Sequence, residues 1–217
     1  MKRPQKKTPR QTPAAPPLRE VYRALYRAWG PQHWWPGRTR LEVVVGAVLT
    51  QNTAWGNVEK AIARLRRARA LSLNRLHEAP RGRLAHWIRP AGYFRVKARR
   101  LRALTTMIVS RYGDLPRLFR LDTRTLRAVL LDVHGVGPET ADSILLYAAG
   151  QPVFVVDAYT RRFMTRHGWL PPRATYDETA RVFTRALPEN VRLFNEFHAL
   201  IVRLGKTRCR TAPRCEG

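Results

Sequence analysis

The sequence predicts an all-α fold, and two observations support that prediction. Apolar residues recur at three- and four-residue steps through nearly the whole chain from residue 18 onward, the spacing of one helix face. Paired segments of alternating apolar and polar residues are missing, and so is any repeat of fixed period. The apolar run LEVVVGAVL at 41–49 fits either a buried strand or a buried helix. Its length, its Gly46–Ala47 pair and the helical pattern on both sides favour the helix.

The helices follow from this spacing in chain order. The first covers 18–29 and is stopped by a Gly-Pro pair at 30–31. Short polar side chains at Asn57, Asp122 and Asp177 lie where later helices begin, and we expect them to cap free backbone N–H groups. The predicted helices are 18–29, 41–49, 57–67, 72–78, 82–88, 94–112, 115–119, 122–132, 138–149, 157–167, 175–186 and 190–205.

The composition indicates a polyanionic partner. The 217 residues include 41 Lys and Arg against 15 Asp and Glu, a formal net charge of +26. Because each neutralised phosphate releases condensed counterion, nucleic acid is the usual partner of such a chain. A general bias toward arginine would explain the choice of Arg over Lys, but it would not explain the scarcity of acidic residues.

Residues 1–17 combine Lys, Arg and Pro with no acidic residue, which predicts a disordered basic arm. Such an arm fits an inert tail as well as one that grips DNA. No apolar run approaches the roughly 20 residues of a membrane span, and no apolar segment follows the basic start as a signal peptide requires. We therefore expect no membrane contact and a cytoplasmic, nucleoid-associated protein.

A hairpin suited to phosphate lies within LLDVHGVGPETADSILLYAA at 130–149. Gly135 and Gly137 let the backbone approach another surface closely, and Val136 between them is expected to point inward as an apolar plug. Pro138 opens the next helix, where its missing N–H costs nothing. The N-terminus of that helix completes a seat for a phosphate. Gly-Val-Gly alone would fit an ordinary helix–helix turn, but the whole string is more specific.

This string, followed by VFVVDAYTRR, resembles the helix-hairpin-helix (HhH-GPD) DNA glycosylases of the endonuclease III superfamily. The resemblance covers roughly 30–205. It implies a six-helix barrel at 32–150 with its hairpin motif at about 122–149, and a second helical lobe that joins 18–31 to 151–217. It also implies a monomer that binds double-stranded DNA across the cleft, with the damaged base flipped out. The residues expected to contact DNA are Gln51, Asn52, His134, Gly135, Val136, Gly137 and Thr140.

Asp157 is the candidate catalytic residue. It follows an apolar run and starts a helix, so it is expected to be an N-cap in any case. Capping does not exclude chemistry, because a carboxylate at a cleft stabilises the positive charge that grows on the sugar and orients the attacking water. The resemblance implies this role, since Asp157 matches the family's catalytic Asp position for position.

Glu139 departs from part of the family. Bifunctional members carry a Lys there, whose amine attacks the sugar to form a Schiff base. A carboxylate offers no amine, so Glu139 predicts a monofunctional hydrolase without AP-lyase activity. A negative charge in the first turn of a helix is also favourable, and a structural role therefore fits Glu139 better than a catalytic one.

Three of the six tryptophans lie near the predicted cleft, at Trp34, Trp35 and Trp55. Core packing of all three competes with a base-pocket role. Because Pro36 favours an extended backbone before it, we expect the two adjacent indoles to diverge. Two indole faces would hold a positively charged methylpurine by stacking and cation–π attraction, at about 0.5–2 kcal/mol each. An unmodified base lacks that charge and costs more to flip.

The combination of WWP, LTQNTAW, the hairpin Glu and FHALIVRLGK is similar to the 3-methyladenine branch of the family. By that resemblance Trp35, Pro36 and Trp55 shape the pocket, and Gln51 or Asn52 fills the gap left by the flipped base. A contact of Lys206 with phosphate or solvent competes with a place in the cleft. The residues assigned to the base pocket are Trp34, Trp35, Pro36, Trp55, Glu139 and Lys206.

Many endonuclease III relatives hold a [4Fe-4S] cluster on four Cys near the C-terminus, whereas this sequence has only Cys209 and Cys215. We therefore predict no cofactor, metal or cluster, unless the sequence is truncated. Two other functions compete with removal of alkylated purines: removal of oxidised pyrimidines or mismatched bases, and non-catalytic binding of DNA structure. Asp157 argues against the binding protein, and Glu139 with the tryptophans favours alkylated purines.

Overall fold

A computed structural model describes residues 15–35 and 37–215, all helices and connecting segments with no strand in that part of the chain. The predicted all-α fold is confirmed. Most of the predicted basic arm, together with Pro36, lies outside the described residues. The helices are α1 (Leu18–Trp29), α2 (Arg40–Leu49), α3 (Trp55–Arg67), α4 (Leu73–Glu78), α5 (Arg81–Trp87), α6 (Phe94–Tyr112), α7 (Leu115–Leu118), α8 (Thr123–Leu131), α9 (Pro138–Ser143), α10 (Ala158–Arg166), α11 (Tyr176–Ala186) and α12 (Val191–Thr207).

Two short elements were not predicted. A 3₁₀ turn, Arg89–Ala91, joins α5 to α6, and the predicted helix 138–149 changes after α9 into a π-helical turn, Ile144–Ala149. The ambiguous run at 41–49 is helix α2, and all its residues from Glu42 to Leu49 are buried. Apart from Glu42, these buried residues are all apolar, and a helix that is apolar on nearly every side belongs in a core, which explains why its sequence also fitted a buried strand.

Of the three residues predicted to cap helices, one is an N-cap and the other two are not. Asp122 caps α8 by accepting hydrogen bonds from two backbone amides, as predicted. Asn57 lies inside the first turn of α3, whose N-cap position makes no side-chain hydrogen bond. Asp177 likewise lies inside α11, because Thr175 and Glu178 form a reciprocal capping box there and satisfy two donors together.

The buried apolar side chains form two clusters. The first runs from Val43 to Ala148 and is built from α2 to the π-helical turn. The second combines Leu18 of α1 with residues on the approach to α10 and on α10–α12, including stacked rings of Phe154 and Phe183 whose centroids are 3.8 Å apart. The lobe boundaries given above stay a prediction.

The C-terminal end of α2 is fixed from inside the first cluster. Lys97 on α6 is 1% exposed, and its Nζ donates hydrogen bonds to the carbonyl oxygens of Leu49 and Ala91, at 2.9 and 2.7 Å. Four carbonyls at the end of any helix lack intrahelical partners, and this ammonium satisfies one of them. The loop from Thr50 to Ala54 therefore leaves α2 from a fixed position.

Candidate active site

A cleft of about 550 Å³ brings together nine of the predicted site residues. They come from the segment before α2, the α2–α3 loop, the first residue of α3, α9, the start of α10 and the end of α12. These nine residues are Trp34, Trp35, Gln51, Asn52, Trp55, Glu139, Thr140, Asp157 and Lys206. The hairpin residues His134, Gly135, Val136 and Gly137 do not line it.

Asp157 lies in the cleft as the N-cap of α10. Its Oδ1 accepts a hydrogen bond from the backbone N–H of Thr160 at 2.7 Å, and its Oδ2 lies 3.6 Å from His198 Nε2. Burial alone would raise the pKa of Asp157, but His198 and the Thr160 N–H together hold it below its ordinary value. The carboxylate is therefore ionised at neutral pH, as stabilisation of a sugar cation requires.

His198 lines the cleft and Tyr147 is hydrogen-bonded to it, and neither residue was predicted from the sequence. The Tyr147 phenol oxygen and His198 Nδ1 are hydrogen-bonded at 2.6 Å, and His198 is only 4% exposed. His198 lies on the buried apolar face of α12 beside Phe197. At such a position the sequence pattern suggests an ordinary core residue, not a site residue. A polar side chain inside a continuous apolar stripe was the available signal.

The three tryptophans form one half-buried aromatic cluster. The centroids of Trp34 and Trp35 are 5.5 Å apart, so the prediction that these two indoles diverge is wrong. Both rings approach Trp55, because contact among three rings removes more apolar surface from water. Trp35 and Trp55 meet edge to face at 5.0 Å, so these two rings are not parallel to each other. The role of the tryptophans in a base pocket stays a prediction.

The face of Trp34 carries a cation. The Nζ of Lys206 lies 5.8 Å from the Trp34 ring centroid, within the range of cation–π attraction. Trp35 packs its ring at 4.9 Å on Tyr147, which links the aromatic cluster to His198. The three tryptophans thus line the cleft and form no parallel pair of rings; this cluster is called the aromatic wall below.

Glu139 stands in the first turn of α9 with its carboxylate turned to the cleft. The residue as a whole is exposed, yet desolvation of the carboxylate and the negative charge of Asp157 raise its pKa. The cleft therefore holds two carboxylates with opposite shifts: Asp157 stays ionised more readily, and Glu139 less readily. Such a pair is typical of sites in which only one carboxylate carries the working charge.

The hairpin is connected to the cleft through Gln51. Its amide nitrogen donates to the carbonyl of Gly135 at 3.0 Å and to Thr140 Oγ1 at 2.9 Å, while Arg100 donates to its side-chain oxygen. Gln51 is therefore held by the protein, whereas the next residue, Asn52, is exposed with a positive φ of 51°. Val136 is buried, at 5% exposure.

The two cysteines lie in different surroundings. Cys209 is buried and Cys215 exposed, and no group of three or more His, Cys, Asp or Glu suited to a metal occurs in the described residues. Arginines of α10 hold the segment around Cys209. Arg162 donates to the carbonyls of Cys209 and Gly205 at 2.7 and 2.9 Å, and Arg166 donates to that of Thr211 at 2.8 Å.

A two-glycine hairpin ahead of a helix, beside a cleft that holds an ionised carboxylate, defines a class of enzyme that excises bases from DNA. The sequence of residues 45–189 matches the HhH-GPD superfamily of base excision DNA repair proteins, and the chain belongs to that superfamily. It is therefore a base excision repair DNA glycosylase of the endonuclease III superfamily. None of its described helices is both long and apolar enough to cross a membrane.

Two related sequences and two solved structures are similar to this chain. The chain is 46% identical to "Putative DNA repair glycosylase MJ1434" of Methanocaldococcus jannaschii, over 87% of this chain and 86% of that one. It is 30% identical to endonuclease III of Thermotoga maritima, over 81% and 78% of the two chains. Among solved structures, the H. pylori 3-methyladenine DNA glycosylase MagIII bound to 1,N6-ethenoadenine matches with a TM-score of 0.78 and 30% identity, covering 87% and 97%. A trapped endonuclease III–DNA covalent intermediate matches in fold, with a TM-score of 0.79 and 24% identity over 91% and 89%.

Proposed function

We propose that this glycosylase is monofunctional and hydrolyses the N-glycosidic bond of alkylated purines such as 3-methyladenine in duplex DNA. The observation that carries the proposal is one cleft in which an aromatic wall, the ionised Asp157 and Glu139 meet. Each of the three supplies a separate requirement: a surface for the base, a charge for the sugar, and a carboxylate where lyases hold an amine.

Glu139 supports hydrolysis without strand cleavage. A β-lyase needs an amine to form a Schiff base with the sugar, and the hairpin segment 130–149 contains no Lys. Lys206 lines the cleft, but its ammonium lies over the Trp34 ring. Water is then the nucleophile, and the product is an abasic site in an intact strand.

The aromatic wall supports a cationic base. Lys206 already occupies one face of Trp34, so a cationic base would contact the remaining indole surface of the aromatic wall, which attracts cations in the same way. A methylated purine brings its own positive charge, and its glycosidic bond needs little acid assistance as the base leaves neutral. The likeness to MagIII at 30% identity also favours this substrate class. We extend the proposal to a monomer that needs no cofactor.

The deciding experiment incubates the protein with duplexes that each carry one lesion: 3-methyladenine, 1,N6-ethenoadenine, thymine glycol or none. Base release and strand breaks are measured with and without alkali, and borohydride is added in parallel. We expect release of the methylpurine, breaks only after alkali, and no trapped protein–DNA adduct.

An endonuclease III of the bifunctional kind serves as the positive control for trapping. A trapped adduct with this protein would show that Lys206 or another amine attacks the sugar, and hydrolysis alone would be wrong. Preferential release of thymine glycol would mean that oxidised pyrimidines, not alkylated purines, are the substrate. The similarity to endonuclease III is the observation that favours this alternative.

A further inference from the structure

Two buried polar groups face each other in the cleft without touching. His198 Nε2 and Asp157 Oδ2 are 3.6 Å apart, beyond the 2.7–3.2 Å or so of a direct N–H···O hydrogen bond. Both residues line the cleft, and Asp157 Oδ1 is already committed to the Thr160 amide. A polar pair at this separation is suited to a bridging water.

His198 Nε2 has no hydrogen-bond partner among the described residues, although the histidine is only 4% exposed. A buried polar atom left unpartnered is costly, so native proteins rarely keep one without a ligand or water. This atom points at the one oxygen of Asp157 that the fold leaves free.

The surroundings of His198 indicate which of its ring nitrogens faces the cleft with a hydrogen. The Tyr147 phenol oxygen and His198 Nδ1 are 2.6 Å apart, a contact in which either atom can be the donor. Nε2 faces the Asp157 carboxylate, which only accepts, so the arrangement that satisfies both ring nitrogens has the phenol donating to Nδ1 and a hydrogen on Nε2. The Nε2–H therefore donates toward Asp157 and the cleft.

We propose that His198 is a second catalytic residue, which binds the attacking water together with Asp157. This inference rests on the proposed hydrolytic function. The Nε2–H donates to the water oxygen, and one hydrogen of the water is donated to Asp157 Oδ2. The second lone pair of the oxygen is left for C1′ of the sugar.

The step balances with these two residues alone. The water oxygen forms the new bond to C1′, and the C1′–N bond breaks with its electron pair going to the base, which neutralises an alkylated purine. The water proton passes to Asp157 and from there to solvent. Tyr147 acts through His198 and is a positioning residue.

The test uses the full chain and a duplex methylated with dimethyl sulfate, in single-turnover base release. His198→Ala removes the donor, and we expect a 10- to 100-fold slower release, the usual effect of losing one hydrogen bond to a charged or reacting group. His198→Asn keeps a short N–H donor and should recover part of the rate. Tyr147→Phe keeps the ring on Trp35 but frees His198 Nδ1, and we expect a smaller loss.

A second measurement separates a role in holding water from a structural role. The reaction is run with methanol added, and the ratio of methyl glycoside to abasic sugar is determined. A water held at two points excludes the larger nucleophile, so His198→Ala should raise the methanol-to-water ratio several-fold over the wild type. His77→Ala on α4 and Tyr26→Phe on α1, both outside the cleft, are the matched controls.

An unchanged rate in His198→Ala would overturn the proposal, and so would a slower rate with an unchanged methanol ratio. If His198→Ala fails to fold, His198→Asn and Tyr147→Phe are judged by the same ratio. Failure of the hydrolytic function itself would be visible in the wild type as a borohydride-trapped adduct, whatever the variants do.

Discussion

At the residue scale, the two oxygens of Asp157 have different tasks. Oδ1 caps α10 through the Thr160 amide, and Oδ2 faces His198 and the cleft. Capping and the proposed catalytic role therefore use different atoms. One carboxylate can thus be a structural N-cap and still offer the charge that the proposed mechanism needs at the sugar.

Asp157→Asn separates the two tasks. Asparagine keeps an oxygen for the Thr160 amide but removes the negative charge, so α10 should stay capped while stabilisation of the sugar cation is lost. We expect base release to fall by about 10²-fold or more with nearly unchanged affinity for DNA. Single-turnover rates and binding to an uncleavable duplex measure the two quantities. Full activity in this variant would contradict the catalytic assignment.

The sequence placed Asp157 among the candidate site residues but not His198, which faces it in the cleft, and the reason is physical. Asp157 stands between an apolar run and a helix start, a position with a local signature. His198 lies on the buried face of a helix 41 residues later, and only the packing of α12 against α10 brings it to Asp157. The same limit applies to Trp34 and Trp35, because the direction of each indole depends on the distant Trp55.

At the element scale, the two hairpin glycines are present for different reasons. Gly135 has a φ of +84°, and a Cβ there would collide with the side chain of Arg100. Gly137 has an extended backbone, and a Cβ there would meet no atom of the protein within 4 Å. The first glycine is required by the fold, whereas the second leaves room for something outside it.

Substituting each glycine by alanine should therefore give opposite results. Gly135→Ala should lose about 1–2 kcal/mol through backbone strain and contact with Arg100, lowering Tm by several degrees. Gly137→Ala should keep the wild-type Tm and weaken binding to all duplexes alike, because the methyl group would stand where a phosphate approaches. Thermal melts and binding to undamaged DNA distinguish them. Wild-type affinity in Gly137→Ala would show that this backbone does not contact DNA.

Helix positions were the most predictable feature at this scale. Regular spacing over 94–112 gave α6 with both ends correct, since a long apolar stripe leaves few alternatives. The π-helical turn after Ser143 has no local sequence signal, because its hydrogen bonding is set by what packs around it. The start of α11 was predicted, but its cap was assigned to Asp177, although Thr175 and Glu178 form a capping-box pair three residues apart that the sequence also contains.

At the scale of the whole molecule, the hairpin and the cleft are joined by side-chain hydrogen bonds. Gln51 joins the α2–α3 loop to Gly135 and Thr140, and Arg100 joins the same glutamine to α6. Gln51 therefore fixes the Gly135 carbonyl relative to the loop that carries Asn52, an exposed residue that lines the cleft. These contacts join residues far apart in sequence, so no local motif predicts them.

The net charge of +26 is the whole-molecule property that governs DNA affinity. Each phosphate neutralised by Lys or Arg lowers log K by about 0.9 for each unit of log salt, so we expect a slope steeper than about −4 on undamaged duplex. Deleting residues 1–14, which carry five basic side chains, tests whether the arm contributes. The larger part of the slope should remain, because the hairpin and most basic residues lie beyond the arm. Titrations between about 50 and 200 mM salt measure both slopes. A full-length slope shallower than about −2 would mean that the charge serves something other than DNA.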